Sequence, residues 1–185
     1  MLVITLGDSL TSGYTFPGRD DMDTPYGSSI VLPDSYNASV LILAVSGYTI
    51  SQISSMVVEN IFKEAEIVIL MGGTNDIAQN SSIDDVVTRF SYLMDKIFAM
   101  IPSSSKLLIL ELPPIRYSGV PSFTEEVNEK YQTLCSRRRN CQFVTWFEEI
   151  SGDLVDGFHL DGEGYKRLGA YLSKIIINTE KTVSD

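Results

Sequence analysis

The single histidine of the chain, His159, carries the clearest chemical signal. Asp156 lies three residues earlier, a separation at which a turn can fold its carboxylate back onto Nδ1 of the imidazole. Such a hydrogen bond fixes the tautomer and leaves Nε2 free to accept a proton. Ser9 is the candidate nucleophile for this base. Together these side chains can act as nucleophile, base and orienting acid in acyl transfer, and Asp153 and Asp161 are alternatives that we rank below Asp156.

Acyl transfer also requires hydrogen-bond donors for the oxyanion that forms on the attacked carbonyl group. Loss of one such donor typically costs about 10²–10³ in rate. The candidates are the backbone N–H groups of Ser9 and Gly47 and the side-chain amide of Asn75. Glycine lets a carbonyl group approach the main chain closely, and the asparagine amide is a neutral donor. The alternative for residues 72–76 is a turn in which Asn75 or Asp76 stabilises its own backbone.

Five short apolar runs predict the strands that position these groups, at residues 2–6, 39–45, 67–71, 106–112 and 142–146. The runs are nearly continuous, which is typical of parallel strands covered on both faces. Ser9, Gly47 and Asn75 each follow one of the first three runs. Because sites in open α/β sheets lie beyond the carboxyl ends of the strands, we expect these residues to meet at one edge.

Apolar residues at helical spacing fill the gaps between the strands, in residues 50–62, 82–101, 123–138 and 162–177. Three of these segments begin with capping-box spacing: Thr49 with Gln52, Ser82 with Asp85 and Ser122 with Glu125. Strands that alternate with helices predict right-handed βαβ units and a parallel sheet between helical layers. We expect a single domain over residues 1–179 and a frayed polar tail over residues 180–185.

Charge and cysteine usage exclude several other classes of protein. The formal net charge of −10 argues against a nucleic-acid surface, because phosphate binding depends on Lys and Arg. The only basic run, residues 137–139, is interpreted as a solvated helix C-terminus. We expect Cys135 and Cys141 to be reduced, partly buried thiols, although pairing across a turn stays open. One histidine and two cysteines form no recognisable ligand set, so we expect no metal site.

The location of the protein is predicted from two further absences in the sequence. No run approaches the roughly 18 apolar residues of a membrane span, and the first strand follows Met1 without the features of a signal peptide. We therefore expect a cytoplasmic protein with no stable membrane insertion, although a chain numbered after processing has the same appearance. Nothing in the sequence predicts its oligomeric state.

Two irregular segments, residues 15–37 and 113–121, are long enough to shape a binding site. The first is equally compatible with an exposed insertion that has no function. The second directly follows a strand, and we interpret it as a pocket wall. Loop residues of this kind often pack locally. Four side chains in or beside the strand-end loops are nevertheless candidate substrate contacts: Tyr48, Ile115, Tyr117 and Phe158.

The polar segments together resemble the four sequence blocks of the SGNH hydrolases, also called GDSL esterases or lipases. The matching residues are Gly7-Asp8-Ser9, Val45-Ser46-Gly47-Tyr48-Thr49, Gly73-Thr74-Asn75-Asp76 and Asp156-Gly157-Phe158-His159. They occur in the family's order and at its usual intervals, and together they cover the chain from residue 2 to about residue 175. One block alone is a weak match, whereas four in register are highly specific.

The resemblance implies a flavodoxin-like three-layer α/β/α fold with strand order 2-1-3-4-5. It also implies cofactor-independent hydrolysis of ester or thioester bonds through an acyl-serine. In this assignment Ser9 is the nucleophile, His159 the base and Asp156 its partner, and the Ser9 amide, Gly47 and Asn75 form the oxyanion hole. Small acyl or lysophospholipid-like esters are the favoured substrates, and carbohydrate O-acetyl groups are the alternative within the family.

Three rival interpretations explain fewer residues. The α/β-hydrolase elbow Gly-x-Ser-x-Gly requires a glycine where Thr11 stands. A flavodoxin-type mononucleotide binder requires a phosphate-cradling loop after the first strand and leaves His159 without a role. A non-catalytic binding protein on the same fold is disfavoured because every expected catalytic position is filled.

Overall fold

The computed structural model describes residues 1–15, 24–117, 119–120, 123–150 and 153–181. Five strands alternate with helices along these residues. The strands are β1 (Leu2–Gly7), β2 (Ser39–Ala44), β3 (Ile67–Met71), β4 (Lys106–Leu110) and β5 (Cys141–Val144). The helices are α1 (Ser9–Ser12), α2 (Ile50–Ser55), α3 (Glu59–Phe62), α4 (Thr74–Ala78), α5 (Ile83–Met100), α6 (Thr124–Ser136) and α7 (Gly162–Lys181). Two 3₁₀ turns, Tyr26–Ser29 and Asp34–Tyr36, lie between α1 and β2.

The strands form one parallel sheet in the order β2-β1-β3-β4-β5, which confirms the predicted fold class. β1 lies between β2 and β3, and its last residue, Gly7, is paired with Ala44 on one side and Met71 on the other. The three strands therefore end level with one another. Since the chain turns in opposite directions on the two sides of β1, this edge is the topological switch point of the sheet.

The core lies on both faces of the central strands. Every residue of β3 is buried, whereas β2, at the edge of the sheet, is half-buried. Helix α5 packs against α2 and against α6, and α7 packs against the turn Tyr26–Ser29. The apolar stripe predicted for α5 is buried, with Val86, Phe90, Leu93, Met94 and Ile97 facing inward. Sheet and helices thus form the three layers that the strand pattern predicts.

The predicted helix over residues 50–62 is instead two short helices, α2 and α3. The N–H groups of Met56 and Val57 bond to carbonyl groups three residues earlier, which tightens the last turn and ends α2. Val57 is then buried in the core as the chain turns, with an exposed fraction of 1%. The consecutive β-branched residues Val57 and Val58 also lower the helical propensity at this point.

One predicted capping box is complete in the structure, and at a second only the side-chain cap of the helix is formed. The Gln52 side-chain oxygen accepts the Thr49 N–H at 2.9 Å ahead of α2, and Ser82 Oγ accepts the Asp85 N–H at 3.1 Å ahead of α5. The third prediction involves Ser122, which lies outside the described residues. At the other end of the chain α7 continues to Lys181, so the helix is longer than predicted, and residues 182–185 of the expected tail are not described.

The expectation of two reduced thiols is wrong, because Cys135 and Cys141 form a disulfide. Cys135 lies in the last turn of α6 and Cys141 is the first residue of β5. The tight turn between these elements places their Cα atoms 5.2 Å apart, which is within the usual range for a disulfide. The basic residues in this turn follow the end of α6, as predicted, and Arg138 forms an ion pair with Asp95 of α5.

Part of the first irregular segment, residues 15–37, packs against α7 and belongs to the core of the fold. Tyr26, in the first 3₁₀ turn, is fully buried, and its carbonyl oxygen packs so closely on Gly169 of α7 that a side chain there has no space. The Val31 N–H is bonded to Ser173 Oγ of the same helix at 2.9 Å. Residues 24–31 therefore close the α7 layer of the fold, and residues 16–23 of this loop lie outside the described part of the chain.

Candidate active site

Ser9 lies in the turn that leaves β1 at the switch point. Asp8 caps α1, because its Oδ1 accepts the Leu10 N–H at 3.0 Å. This cap makes Ser9 the first residue of the helix and places it directly beyond the carboxyl end of the strand. The side chain is mostly buried, with an exposed fraction of 9%. A short strand-to-helix turn therefore holds the hydroxyl at the edge of the sheet.

Ser9, His159 and Asp156 are joined in series by two short hydrogen bonds. The Ser9 Oγ atom lies 2.8 Å from His159 Nε2, and His159 Nδ1 lies 2.7 Å from Asp156 Oδ2. Because an ionised carboxylate only accepts, the Nδ1 atom carries the ring proton and Nε2 accepts the proton of Ser9. The structure thus brings together all three residues that the sequence assigns to this chemistry.

The loop before α7 folds on itself and supplies both Asp156 and His159. Leu154 and Leu160 pair in an antiparallel bridge, and the Val155 N–H donates to the His159 carbonyl at 2.8 Å. At the tip of the loop Gly157 has a φ of +85°, a conformation that favours glycine. This tight turn brings the Asp156 carboxylate back to the imidazole.

The two alternative carboxylates have other partners. Asp161 Oδ1 accepts the Gly164 N–H at 2.7 Å at the start of α7. Asp153 is exposed, and its Oδ1 accepts the N–H of the next residue, Leu154, at 3.0 Å. Neither bond involves His159. Asp156 is therefore the carboxylate that the geometry places against the imidazole.

Hydrogen bonds keep Asp156 ionised. Burial by itself raises the pKa of this carboxyl group, but the bond from the His159 ring and those from two backbone N–H groups outweigh it, so that the pKa is lowered. The backbone donors are Phe158 and His159, at 2.9 and 2.8 Å from Oδ1. With Oδ1 held by the backbone, Oδ2 faces the imidazole. The carboxylate can then orient the ring and stabilise its cationic form.

The three candidate oxyanion donors lie beyond β1, β2 and β3. The N–H groups of Ser9 and Gly47 have no acceptor among the described residues. Gly47 is exposed and has a φ of +82°, so it adopts a conformation that glycine reaches without strain. The Asn75 side chain donates through Nδ2 to the Tyr48 carbonyl at 2.9 Å and contacts Asp8 Oδ2 at 3.4 Å.

Two buried carboxylates behind these donors were missed in the sequence analysis. Asp8 and Asp76 are both fully buried. Asp76 forms an ion pair with Arg89 Nη1 at 3.0 Å, and its other oxygen accepts the Ile50 N–H at 2.8 Å. Burial raises the pKa of Asp8 to about 7; the hydrogen bond from the Leu10 N–H opposes this rise, and the nearby charge of Asp76 adds a smaller increase. The signal in the sequence was an acidic residue beside Ser9 and another beside Asn75.

The four candidate substrate contacts differ in their surroundings. Ile115 is buried and Tyr48 is half-buried against the core, so both contribute to packing. Tyr117 is 57% exposed and its ring centroid lies 5.4 Å from that of Phe158, next to His159. The Arg116 N–H also donates to the Gly157 carbonyl at 2.9 Å, which fixes the loop after β4 to the loop that carries the base. Tyr117 and Phe158 therefore form an apolar rim beside the imidazole.

Tyr14 contacts the imidazole from another direction. Its ring centroid lies 5.0 Å from that of His159, with the rings edge to face. The Tyr14 carbonyl accepts a hydrogen bond from the Tyr165 hydroxyl of α7 at 3.1 Å. Aromatic contacts of this geometry help to fix the orientation of both rings.

A separate cavity of about 640 Å³ lies between the loop after β4, α6 and the segment after β5. None of Ser9, Asp156 and His159 lines this cavity. Its walls include Trp146 and five carboxylates: Glu111, Glu125, Glu129, Glu148 and Glu149. Within the described part of the chain, no group of three or more His, Cys, Asp or Glu residues is arranged to hold a metal ion.

The fold and the site define the protein as a flavodoxin-like α/β/α protein with hydrogen-bonded serine, histidine and aspartate side chains at its switch point. The chain belongs to the GDSL-like lipase/acylhydrolase family, whose sequence profile matches residues 5–167. A multidomain esterase of Ruminococcus flavefaciens is 28% identical over an alignment of 114 residues that covers 57% of this chain. The chain spans only 15% of the length of that relative.

Solved structures share the fold at low sequence identity. Est24, a carbohydrate acetylesterase from Sinorhizobium meliloti, matches with a TM-score of 0.81 and 20% identity, over 96% of this chain and 99% of Est24. An aryl esterase of M. smegmatis matches with a TM-score of 0.73 and 21% identity, over 96% and 98% of the two chains. Among the described helices of our chain, none is long and apolar enough to cross a membrane.

Proposed function

We propose that the protein is a serine hydrolase that cleaves carboxylic esters through an acyl-serine intermediate. The observation that carries this proposal is the hydrogen-bonded series Ser9 Oγ, His159 Nε2 and Nδ1, and Asp156 Oδ2, at 2.8 and 2.7 Å. A serine hydroxyl is a weak nucleophile by itself, and an adjacent base activates it. Membership of the acylhydrolase family also supports this proposal.

In the first half of the proposed reaction His159 Nε2 takes the proton of Ser9 as Oγ attacks the carbonyl carbon of the ester. The carbonyl oxygen becomes an oxyanion, which accepts hydrogen bonds from the Ser9 and Gly47 N–H groups and from the Asn75 amide. The imidazolium of His159 then protonates the alkoxy oxygen of the leaving group. The C–O bond breaks, the alcohol departs, and the acyl group remains on Ser9.

In the second half a water molecule replaces the alcohol. His159 removes a proton from the water as its oxygen attacks the acyl carbon, and the same donors hold the second oxyanion. The imidazolium returns its proton to Ser9 Oγ, and the carboxylic acid leaves. Asp156 stays ionised throughout, because its lowered pKa keeps the carboxylate available to hold the Nδ1 proton and stabilise the imidazolium.

Small acyl groups are the substrates that the site favours. Among the described residues, Gly47 and Tyr117 leave the rim beside Ser9 open to water, since Gly47 is exposed and Tyr117 is 57% exposed. The 640 Å³ cavity, which is large enough for a long chain, is not lined by Ser9 or His159. An open rim with the aromatic pair Tyr117 and Phe158 suits an acetyl or similarly short group more than a long acyl chain. A lysophospholipid-like ester places its long chain on this rim instead of in a tunnel.

Hydrolysis of acetyl groups on carbohydrate is the second candidate function. Est24, which matches almost the whole of this chain in fold, is a carbohydrate acetylesterase, and an open rim admits a bulky alcohol such as a sugar. The discriminating experiment is a panel of nitrophenyl esters from acetate to palmitate, with acetylated xylose, lysophosphatidylcholine and acetyl-CoA. A preference for acetylated xylose over nitrophenyl acetate favours the sugar esterase, and a preference for the lysolipid excludes it.

The proposed mechanism is tested with nitrophenyl acetate and the variants Ser9→Ala and His159→Ala. We expect both variants to lose turnover by at least about 10³-fold while they remain folded. A fluorophosphonate probe should label the wild-type protein at Ser9 and leave Ser9→Ala unlabelled. Wild-type turnover in either variant refutes the mechanism, and a folded wild-type protein that resists the probe favours a non-catalytic binding protein.

The cytoplasmic location remains a prediction from the sequence. The Cys135–Cys141 disulfide weighs against it, because disulfides persist in oxidising compartments and are rare in the cytosol.

A further inference from the structure

The amide of Asn75 has two hydrogen-bond partners that are both acceptors. Nδ2 lies 2.9 Å from the Tyr48 carbonyl oxygen and 3.4 Å from Asp8 Oδ2. The NH₂ and oxygen ends of an asparagine amide have nearly the same shape, so its orientation is decided by its partners. Two acceptors select the orientation in which nitrogen faces them. The 2.9 Å bond to the Tyr48 carbonyl holds one N–H of the amide. The contact with Asp8 is longer, at 3.4 Å, so the nitrogen can also donate on this side to a developing oxyanion.

Asp8 has a second task that restricts how it can be replaced. Its Oδ1 accepts the Leu10 N–H at 3.0 Å and caps α1, while Oδ2 faces Asn75. A carboxylate accepts through both oxygens, whereas an asparagine of the same shape has one oxygen and one NH₂ group. An asparagine at position 8 can therefore cap α1 or accept from Asn75, but it cannot do both. Since the cap bond is the shorter of the two, the contact with Asn75 is the one that is lost.

We propose that Asp8 is a positioning residue that orients the Asn75 amide nitrogen for the oxyanion of the ester reaction. This inference rests on the proposed function, because it assigns a role within the same site. Asp8 does not touch the reacting atoms in this assignment and acts through Asn75. The Gly-Asp-Ser turn then supplies the nucleophile and also controls the donor that reaches the oxyanion from β3.

The charged and titratable groups around Asp8 link this role to pH. Asp76 of α4 faces Asp8 and disfavours a second negative charge, and Tyr26 and Tyr131 approach from the 3₁₀ turn and from α6. Arg89 of α5 pairs with Asp76, and no cation pairs with Asp8 among the described residues. His159 lies beyond Ser9, to which it is bonded.

Protonation turns one oxygen of Asp8 into a hydroxyl group, which donates its hydrogen and is a weaker acceptor than a carboxylate oxygen. Burial, with a smaller contribution from Asp76, raises the pKa of Asp8 to about 7, so the carboxylate gains a proton as the pH falls through neutrality. Asn75 should therefore lose an acceptor as the pH falls below neutrality. On the acidic side of the pH profile, the kcat of the wild type should then depend on two protonations. We expect log kcat to fall by more than one unit per pH unit between about pH 5 and 7 in this acid limb.

The test compares Asp8→Asn with the wild type on nitrophenyl acetate from pH 5 to 9. We expect kcat to fall by about 10²-fold, KM to change by less than about threefold, and the acid limb to become a single protonation. Phenylboronic acid, whose tetrahedral adduct on serine mimics the oxyanion, should bind correspondingly more weakly. The matched control is Asp84→Asn, an exposed residue in the first turn of α5, which should keep wild-type values.

A double-mutant cycle separates a positioning role from a purely structural one. If Asp8 acts through Asn75, then Asp8→Asn should cost little further activity in an Asn75→Ala background. Additive losses overturn the inference, as does an Asp8→Asn protein with wild-type kcat. If Asp8→Asn does not fold, a wild-type acid limb with a slope of one or less overturns it equally. Absence of wild-type turnover refutes the proposed function itself, whereas turnover that requires Ser9 but not Asp8 refutes this inference alone.

Discussion

Replacement of Asp8 by asparagine should change how the stability of the protein depends on pH. The carboxyl group is fully buried and its pKa is raised from 3.8 to about 7 in the folded protein. Between these values the folded chain keeps a proton at Asp8 that the unfolded chain has released. The unfolded state then binds fewer protons than the folded state, so this group makes the protein less stable as the pH rises from about 4 to about 7.

The magnitude follows from the two pKa values. At about 1.4 kcal/mol for each pH unit, the rise from 3.8 to about 7 corresponds to at most about 4 kcal/mol of unfolding free energy. Asparagine cannot titrate and carries no charge into the core. Relative to the wild type, Asp8→Asn should therefore gain up to about 4 kcal/mol between pH 4 and pH 8. If Asp8→Asn is more stable and also turns over more slowly, then Asp8 serves the reaction and lowers the stability of the fold.

Urea unfolding followed by tryptophan fluorescence measures this difference directly. Trp146 is the only tryptophan of the chain and is fully buried, so its emission reports loss of the core. The free energy of unfolding is determined at several pH values from about 4 to 8 for the wild type, Asp8→Asn and the exposed control Asp84→Asn. Wild-type and Asp8→Asn curves that run parallel over this range refute a buried, proton-binding Asp8. The control curve should follow the wild type.

Three further perturbations have defined outcomes. The denatured protein should show no free thiols before reduction, and Cys135→Ser with Cys141→Ser should lower the unfolding free energy by about 2 kcal/mol; an unchanged urea midpoint contradicts this. Arg89→Met should cost about 2 kcal/mol at pH 7, because it leaves Asp76 buried without a cation, and Arg89→Lys should recover part of the loss. Tyr117→Ala should raise KM for nitrophenyl butyrate several-fold without lowering Tm, since the ring is 57% exposed; a lower Tm with unchanged KM indicates a packing role.

Features encoded by local pattern were predictable from the sequence. The buried strands are nearly continuous apolar runs, so the five parallel strands followed from the sequence pattern, whereas their order was implied by the resemblance to the SGNH hydrolases. The position of Asp156 three residues before His159 predicted their contact, because a single turn spans that distance. The placement of Ser9, Gly47 and Asn75 followed from the parallel pairing of β1, β2 and β3.

Features that depend on the meeting of distant elements were not predictable in the same way. Pairing of Cys135 with Cys141 depends on the angle at which α6 turns into β5, and the spacing alone left it open. Burial of Asp8 and its ion-paired neighbour Asp76 depends on packing between three strand ends and α5, none of which is local in sequence. The substrate contacts depend on how the loop after β4 lies on the loop that carries His159.

The proposed acid and base share one short loop, while the proposed nucleophile lies 150 residues away from the base. During synthesis Ser9 is made first, and its activating partner is among the last parts of the fold to appear. In the proposed mechanism the hydroxyl is activated only once the loop before α7 has docked at the end of β1. The appearance of the proposed esterase activity in a refolding experiment should therefore time the docking of this loop without any added label.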